Sequence, residues 1–334
     1  MADGGLRIGL AGAGHFGRYH ALKVAASPRA QLAGVFDTDA ERARTVGWEA
    51  GAPAMGFDAL VAASDALIIA APAEAHHDLA AAALGAGRHV LIEKPIASTL
   101  GQADALARLA ADRNLILQVG HLERFSAAHG AVAARMGQPL YIEAVRVAPF
   151  KPRGTDVSVI LDLMIHDLDL VLALVDAPIE SVDAVGAAVA SPHEDIANAR
   201  IRFANGCVAT ITASRISLKT ERRMRVFAQS GYVAVDFANR KLTAISRDRG
   251  IPVPGVAGFG FEEASWEDHD ALAAEHAAFV ASVLDGTPVV VDAAAGRRAL
   301  AAALAVMEAM DASRTRAIRS GLLQQFQNGP GGGL

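Results

Sequence analysis

Apolar positions in the first third of the chain come in short unbroken runs rather than in alternation. Such runs span Leu6 to Gly12, Gln31 to Phe36, Asp65 to Ala71, His89 to Ile92 and Leu115 to Val119. The stretches between them have helical spacing: Arg18 to Ala26, residues 40–50, residues 57–63, His76 to Leu84, and Leu100 to Asp112. Brief apolar strands separated by helices predict a mostly parallel sheet covered on both faces. Ligands of such sheets bind beyond the carboxyl ends of the strands.

The pattern changes after Gly120. Residues 121–136 read as a connecting helix and Pro139 to Val147 as a strand. A polar stretch with Lys151, Arg153 and Asp156 precedes a helical segment over 157–175, which Pro178 ends. From Ile179 to Ile245 apolar and polar residues alternate, with turn signals at Ala204-Asn205-Gly206 and Ser230-Gly231. That predicts several strands in a largely antiparallel open sheet, one face of which covers a substrate cleft or meets another subunit. Residues 251–265 are rich in proline and glycine and predict a loop, mobile over the cleft. Helices are expected over 267–284 and 292–312. The expected organisation is α/β, with an N-terminal dinucleotide-binding Rossmann domain over 1–120. An α+β substrate-binding and oligomerisation domain follows over 121–320, then a disordered tail over 321–334.

Composition narrows the class. A chain of 334 residues exceeds one ordinary domain. A formal charge of -5, spread over both halves with no basic tract, argues against nucleic-acid binding. Cys207 is the only cysteine, so there is neither an internal disulfide framework nor a multi-cysteine metal site. No basic segment leads into a long apolar run, so a cytoplasmic protein without a membrane span is expected.

Chemistry concentrates at the ends of the apolar runs. Gly12-Ala13-Gly14-His15-Phe16-Gly17 follows the first run and opens a helix. Its glycines allow a tight turn and close approach of backbone amides to a pyrophosphate. Asp37 ends the second run, where a carboxylate accepts from ribose hydroxyls and repels a 2′-phosphate, favouring NAD. The plainer alternative is a structural turn and a surface carboxylate. Pro72, His76, Glu93 and Lys94 also fall at run ends. His76 either lines the nicotinamide end or makes local polar contacts. Neither the adjacent His76-His77 nor any neighbouring carboxylates have metal-ligand spacing, so no metal is expected. Asp162 and His166 lie four apart in an apolar helical segment and so share a face. With Lys94 they form a candidate proton-transfer set, His166 otherwise being a satisfied buried histidine. Arg124, Lys151, Arg153 and Arg215 are candidate partners for an anionic substrate, against the alternative of ordinary surface charges. Arg222, Arg223 and Arg225 form a basic run on a strand, equally suited to an interface.

In this order, Glu93-Lys94-Pro95, the Asp162/His166 pair and the glycine turn resemble the Gfo/Idh/MocA oxidoreductase family along nearly the whole chain. The resemblance implies an NAD(P) domain, Lys94 near nicotinamide and substrate, and Asp162 with His166 as the catalytic pair. Many relatives place a glycine-rich turn before that Asp, where this chain reads Thr155 to Leu161 without glycine. Gly120 to Phe125 and Asp156 to Asp167 look most like the family branch that oxidises C3 of UDP-N-acetylglucosamine. That branch's 3-keto product is passed to an aminotransferase for lipid A precursors. The resemblance also implies a homodimer or homotetramer. The alternatives are an NAD-dependent dehydrogenase of another sugar or a cyclitol such as inositol, and a non-catalytic nucleotide-binding regulatory protein.

Overall fold

Strand β3 (Ala66–Ile69) explains the unbroken apolar runs: its side chains enter two different cores. Leu67 and Ile69 pack on one side of the sheet, and Ala66 and Ile68 on the other. The structure, a computed structural model, describes residues 5–151, 157–247, 250–267 and 270–322. In it β3 is the centre of a five-stranded parallel sheet with β1 (Leu6–Ala11), β2 (Ala30–Phe36), β4 (His89–Glu93) and β5 (Leu117–Gly120), in the order β2-β1-β3-β4-β5. Helices α1 (His15–Ala25), α2 (Ala40–Ala50), α3 (Phe57–Ala63), α4 (Ala73–Gly85) and α5 (Leu100–Asp112) are the crossovers. Asp39 caps α2, whose C-terminal Gly51 is left-handed. Thr99 and Gln102 form a reciprocal capping box on α5.

The connecting helix expected over 121–136 is broken. Leu122–Phe125 is a 3-10 turn, and α6 covers only Ala127–Ala133. Ser126 is the reason: its backbone is extended, and its hydroxyl accepts from the His129 amide as an N-cap. The segment expected as a helix over 157–175 is a π-helical turn, Ile160–Met164, running into α7 (Ile165–Leu174).

Nine strands form the second sheet: β6 (Pro139–Val147), β7 (Ile179–Ala187), β8 (Ile196–Phe203), β9 (Val208–Ser214), β10 (Glu221–Ala228), β11 (Gly231–Asp236), β12 (Lys241–Arg247), β13 (Ile251–Pro252) and β14 (Phe259–Ser265). Their order is β13-β14-β12-β11-β10-β6-β9-β8-β7, antiparallel apart from the β6–β9 pair. In β8, Ala197, Ala199, Ile201 and Phe203 enter the core while the alternate residues stay out. The loop expected over 251–265 is therefore corrected. Half of it is strand β14, paired with β12 from Phe259 to Ser265, and Ile251–Pro252 form the edge strand β13 beside it. Four strand steps separate β14 from β6, about 19 Å at the usual spacing, so it does not cover a cleft beside β6.

Helices α8 (Ala271–Asp285) and α9 (Ala293–Arg319) serve both sheets. Phe279 and Val280 of α8 enter the first sheet's core, as do Ala295 and Leu300 of α9. Further along α9, Ala302, Ala303, Val306 and Met310 pack under the second sheet. Arg29 fastens Asp285 at 2.7 Å. The tail from 323 onward lies outside the described residues. No helix among the described residues is long and apolar enough to cross a membrane.

Candidate active site

The glycine turn closes onto its neighbours so tightly that side chains are excluded. Gly12 has φ +100, and a Cβ there would lie 2.6 Å from the Ala70 carbonyl oxygen. A Cβ on Gly17 would run into the Gly12 carbonyl. Gly14 faces open space and caps α1 without a side-chain bond, leaving the first-turn amides available to an anion. His15 and Phe16 are exposed on that turn. Asp37, at the end of β2, accepts the Ala13 amide at 2.7 Å and the Asp39 amide at 2.8 Å. Its carboxylate is thereby fixed beside the turn. An open cradle, a free helix N-terminus and a strand-end carboxylate fit a dinucleotide.

Lys94 follows β4, and its peptide bond to Pro95 is cis. Its ammonium donates to the carbonyls of Asp162 at 2.8 Å and Leu161 at 3.3 Å, with Asp162 Oδ1 at 4.0 Å. An ammonium has three donors, so one N–H remains for a ligand. Burial lowers the Lys94 pKa, opposed by the charges of Asp162 and Glu93. The two accepting carbonyls belong to the π-turn, in which the Ile165 amide reaches back five residues to Ile160. Such turns widen a helix and leave backbone groups for other partners.

His166 stands at the junction of this turn and α7. No hydrogen bond joins it to Asp162, so the structure does not pair those side chains directly. The His166 Nδ1 is buried without a partner, and the residue as a whole is half-buried. Burial pushes its pKa well below the ordinary histidine value, and the positive charges of Lys94 and Arg146 add to that. His166 is therefore held neutral, its ring nitrogens carrying only the single N–H of the neutral ring.

Arg146 of β6 organises the floor. Its guanidinium forks onto Asp167 at 2.8 and 3.0 Å and reaches Glu123 at 2.8 Å. Arg146 and Asp167 are almost fully buried. Burial pushes the Asp167 carboxyl up against the pull of Arg146. Sequence reasoning missed Arg146 and Glu123. The available signal was an arginine on the same face of β6 as Ile142 and Ala144.

The remaining candidates divide. His76 is buried with its ring nitrogens 2.8 Å from the carbonyl oxygens of Pro95 and Ala71, tying α4 to the Lys94 turn. Pro72 is the N-cap of α4. Glu93 supports the turn from beneath, accepting from the Lys94 amide at 3.2 Å and from His20 at 3.0 Å. Arg124 leans toward Asp169 at 3.5 Å. Lys151 is exposed at the edge of the described residues, and Arg153 lies outside them. Arg215 is buried and engaged with Asp195 at 2.8 Å, Ser191 and the Val157 carbonyl, which places it in the scaffold. Arg225 pairs with Glu143 and Arg223 with Glu221. Arg222 is exposed, and its charge reaches His166, Asp167 and Glu123.

Among the described residues one cluster has the proximity of metal ligands: His20, Glu275 and His276. Its geometry is that of hydrogen bonding. His20 Nδ1 and His276 Nε2 are 2.7 Å apart with the rings 13° from parallel, closer than stacked planes permit. A chain in which His276 donates to His20 and His20 to Glu93 accounts for both contacts.

Comparison with known proteins agrees with this layout. Residues 6–121 match the model of the oxidoreductase family with an NAD-binding Rossmann fold, and residues 131–234 match the GFO/IDH/MocA C-terminal domain. The chain is 46% identical over 312 residues to a UDP-N-acetylglucosamine 3-dehydrogenase of Acidithiobacillus ferrooxidans, covering 92% of this chain and 98% of the relative. This chain belongs to the Gfo/Idh/MocA oxidoreductase family. It is an NAD-dependent dehydrogenase acting on CH–OH groups. A solved structure of the Acidithiobacillus enzyme superposes with a TM-score of 0.86 at 45% identity, over 92% of this chain and 98% of that one. A putative myo-inositol dehydrogenase from Sinorhizobium meliloti superposes at 0.78 with 26% identity, over the same shares. A scyllo-inositol 2-dehydrogenase (NAD(+)) of Bacillus subtilis is 27% identical over 86% of this chain and 89% of its own length.

Proposed function

We propose that the substrate is UDP-N-acetylglucosamine, oxidised at C3 to the 3-keto sugar nucleotide, with Lys94, Asp162 and His166 as the reacting set. The observation that carries this reading is a buried ammonium with one donor to spare beside a neutral imidazole, both beyond the carboxyl end of the first sheet. The near full-length similarity to a UDP-N-acetylglucosamine 3-dehydrogenase supports the choice of sugar.

Bound NAD, held by the Gly12–Gly17 turn and Asp37, supplies the hydride acceptor. His166 Nε2 takes the proton of the C3 hydroxyl. The spare Lys94 N–H donates to the same oxygen as it becomes a ketone, stabilising the charge that develops there. Asp162 acts on the Lys94 charge from 4.0 Å rather than by a bond to His166. Here the exposed Arg222, whose charge reaches His166, meets the diphosphate, while Arg215 is engaged in the scaffold. In this reading residues 1–120 hold the cofactor, while 121–320 hold the substrate and associate into a homodimer or homotetramer. The 3-keto product feeds an aminotransferase in lipid A precursor synthesis in the cytoplasm.

The test is NADH production across UDP-N-acetylglucosamine, free sugars and inositol, with an aminotransferase drawing off the ketone. His166→Ala and Lys94→Ala should each lower kcat at least about 100-fold, the usual contribution of a positioned acid–base group, with little change in NAD affinity. Activity on inositol but not on the nucleotide sugar refutes the substrate. Unchanged turnover in both variants refutes the residue roles.

A further inference from the structure

In the Gly120–Phe125 segment Glu123 is held by Arg146 and Arg124 leans toward Asp169, while the His121 ring has no partner. Glu93 of β4 pairs in register with Gly120 of β5, so Lys94 and His121 leave adjacent parallel strands side by side. The His121 backbone is satisfied, its amide donating to Val119 at 2.8 Å. The ring is not: it is 1% exposed, and neither Nδ1 nor Nε2 has a partner. A buried polar atom without a hydrogen bond is costly, and here two lie on one ring. Burial lowers the His121 pKa to about 3, with Lys94 and Arg124 adding to the effect. The ring is thus neutral at any working pH, with one donor and one acceptor. It is not a second acid–base group.

We propose that His121 binds the sugar ring next to the reacting carbon, through one substituent that carries both a donor and an acceptor. A neighbouring hydroxyl and an acetamido group both have that character. Three features favour the substrate over the cofactor. The charge of Lys94 acts on both His121 and His166, so the two rings share the surroundings of that ammonium. His121 stands beside Lys94. It also leaves β5, the edge strand farthest from β2 and three steps from the β1 glycine turn. The inference rests on the reading that this pocket takes a sugar.

The test compares His121→Phe, which keeps a ring but no polar atom, with His121→Gln, which keeps a donor and an acceptor. Both are assayed on whichever substrate the wild type oxidises, so failure of UDP-N-acetylglucosamine as substrate is seen first and separately. His121→Phe should lower kcat/KM by about 10- to 100-fold, mainly through KM, as two neutral hydrogen bonds are lost at roughly tenfold or less each. His121→Gln should recover most of that, and NAD affinity and the pH profile should hold in both. If the nucleotide sugar is oxidised, UDP-glucose against UDP-N-acetylglucosamine identifies the group, since only an acetamido contact makes the Phe variant lose its preference between them. Three outcomes overturn the proposal. One is kcat/KM unchanged in the Phe variant. Another is NAD affinity falling by the same factor as kcat/KM, which assigns the ring to the cofactor. The last is equal loss in Phe and Gln variants with a lowered Tm, which makes the residue structural.

Discussion

Replacing Arg146 by Met removes the fork that fixes Asp167 and reaches Glu123, at nearly constant length. Asp167 is 3% exposed and bonded to Arg146 through both oxygens, so the variant strands a buried carboxylate. Breaking a buried ion pair from one side costs about 3–5 kcal/mol. For a unit of about 200 residues at 2–4 °C per kcal/mol, Tm should fall by roughly 6–20 °C. Asp167 follows His166 directly, so relaxing it should also lower kcat, with NAD affinity held by the distant glycine turn. The assay is urea unfolding of wild type, Arg146→Met, Asp167→Leu and the double variant, with turnover measured on each. The double variant should be more stable than Arg146→Met, because no unpaired carboxylate remains at Asp167. A loss below about 1 kcal/mol in the single variant, or additive losses in the double, would refute the reasoning.

Two further predictions concern charge. Asp37→Ser should cut the preference for NAD over NADP at least tenfold on the order of a lost charge and ribose bond, read as a ratio of kcat/KM values; a wild type equally efficient with both cofactors contradicts the role of Asp37. Burial raises the Asp169 carboxyl to about 7, while Arg124 and Arg298 pull the other way. A raised folded pKa means a contribution that is complete below the unfolded value near 3.9 and is lost as pH rises through the folded one, at most about 1.4 kcal/mol per pH unit. Asp169→Asn should therefore gain stability relative to wild type between pH 4 and 7, then run parallel; urea midpoints that stay parallel throughout contradict this.

Much of the first sheet was legible because β3 and its neighbours are buried on both faces, and double burial leaves unbroken apolar runs. Residues 40–50, 57–63 and 100–112 were readable to the residue from their helical spacing, and in the structure Asp39 and Thr99 cap the first and last of them. The strand-end positions of Lys94 and Asp37 followed from the same runs. Other features depend on contacts between distant segments. The π-turn at Ile160–Met164 has no local signature, and its carbonyls take Lys94 from 67 and 68 residues away. The four-residue spacing of Asp162 and His166 placed them on one helical face without assuring a side-chain contact; none forms, and Asp162 Oδ1 lies 4.0 Å from the Lys94 ammonium. Glycine and proline disguised β13 and β14, although Pro252 is tolerated because it sits on an edge strand. Arg215 read as a free cation in sequence, but folding brings Asp195 under it.

The central claim is that the hydrogen leaving the substrate comes from C3 of the sugar. UDP-N-acetylglucosamine carrying deuterium at C3 would be incubated with NAD and the enzyme, with an aminotransferase drawing off the ketone, and the NADH examined by mass spectrometry. The account predicts one deuterium at nicotinamide C4 for each turnover. Formation of unlabelled NADH from that substrate would contradict it.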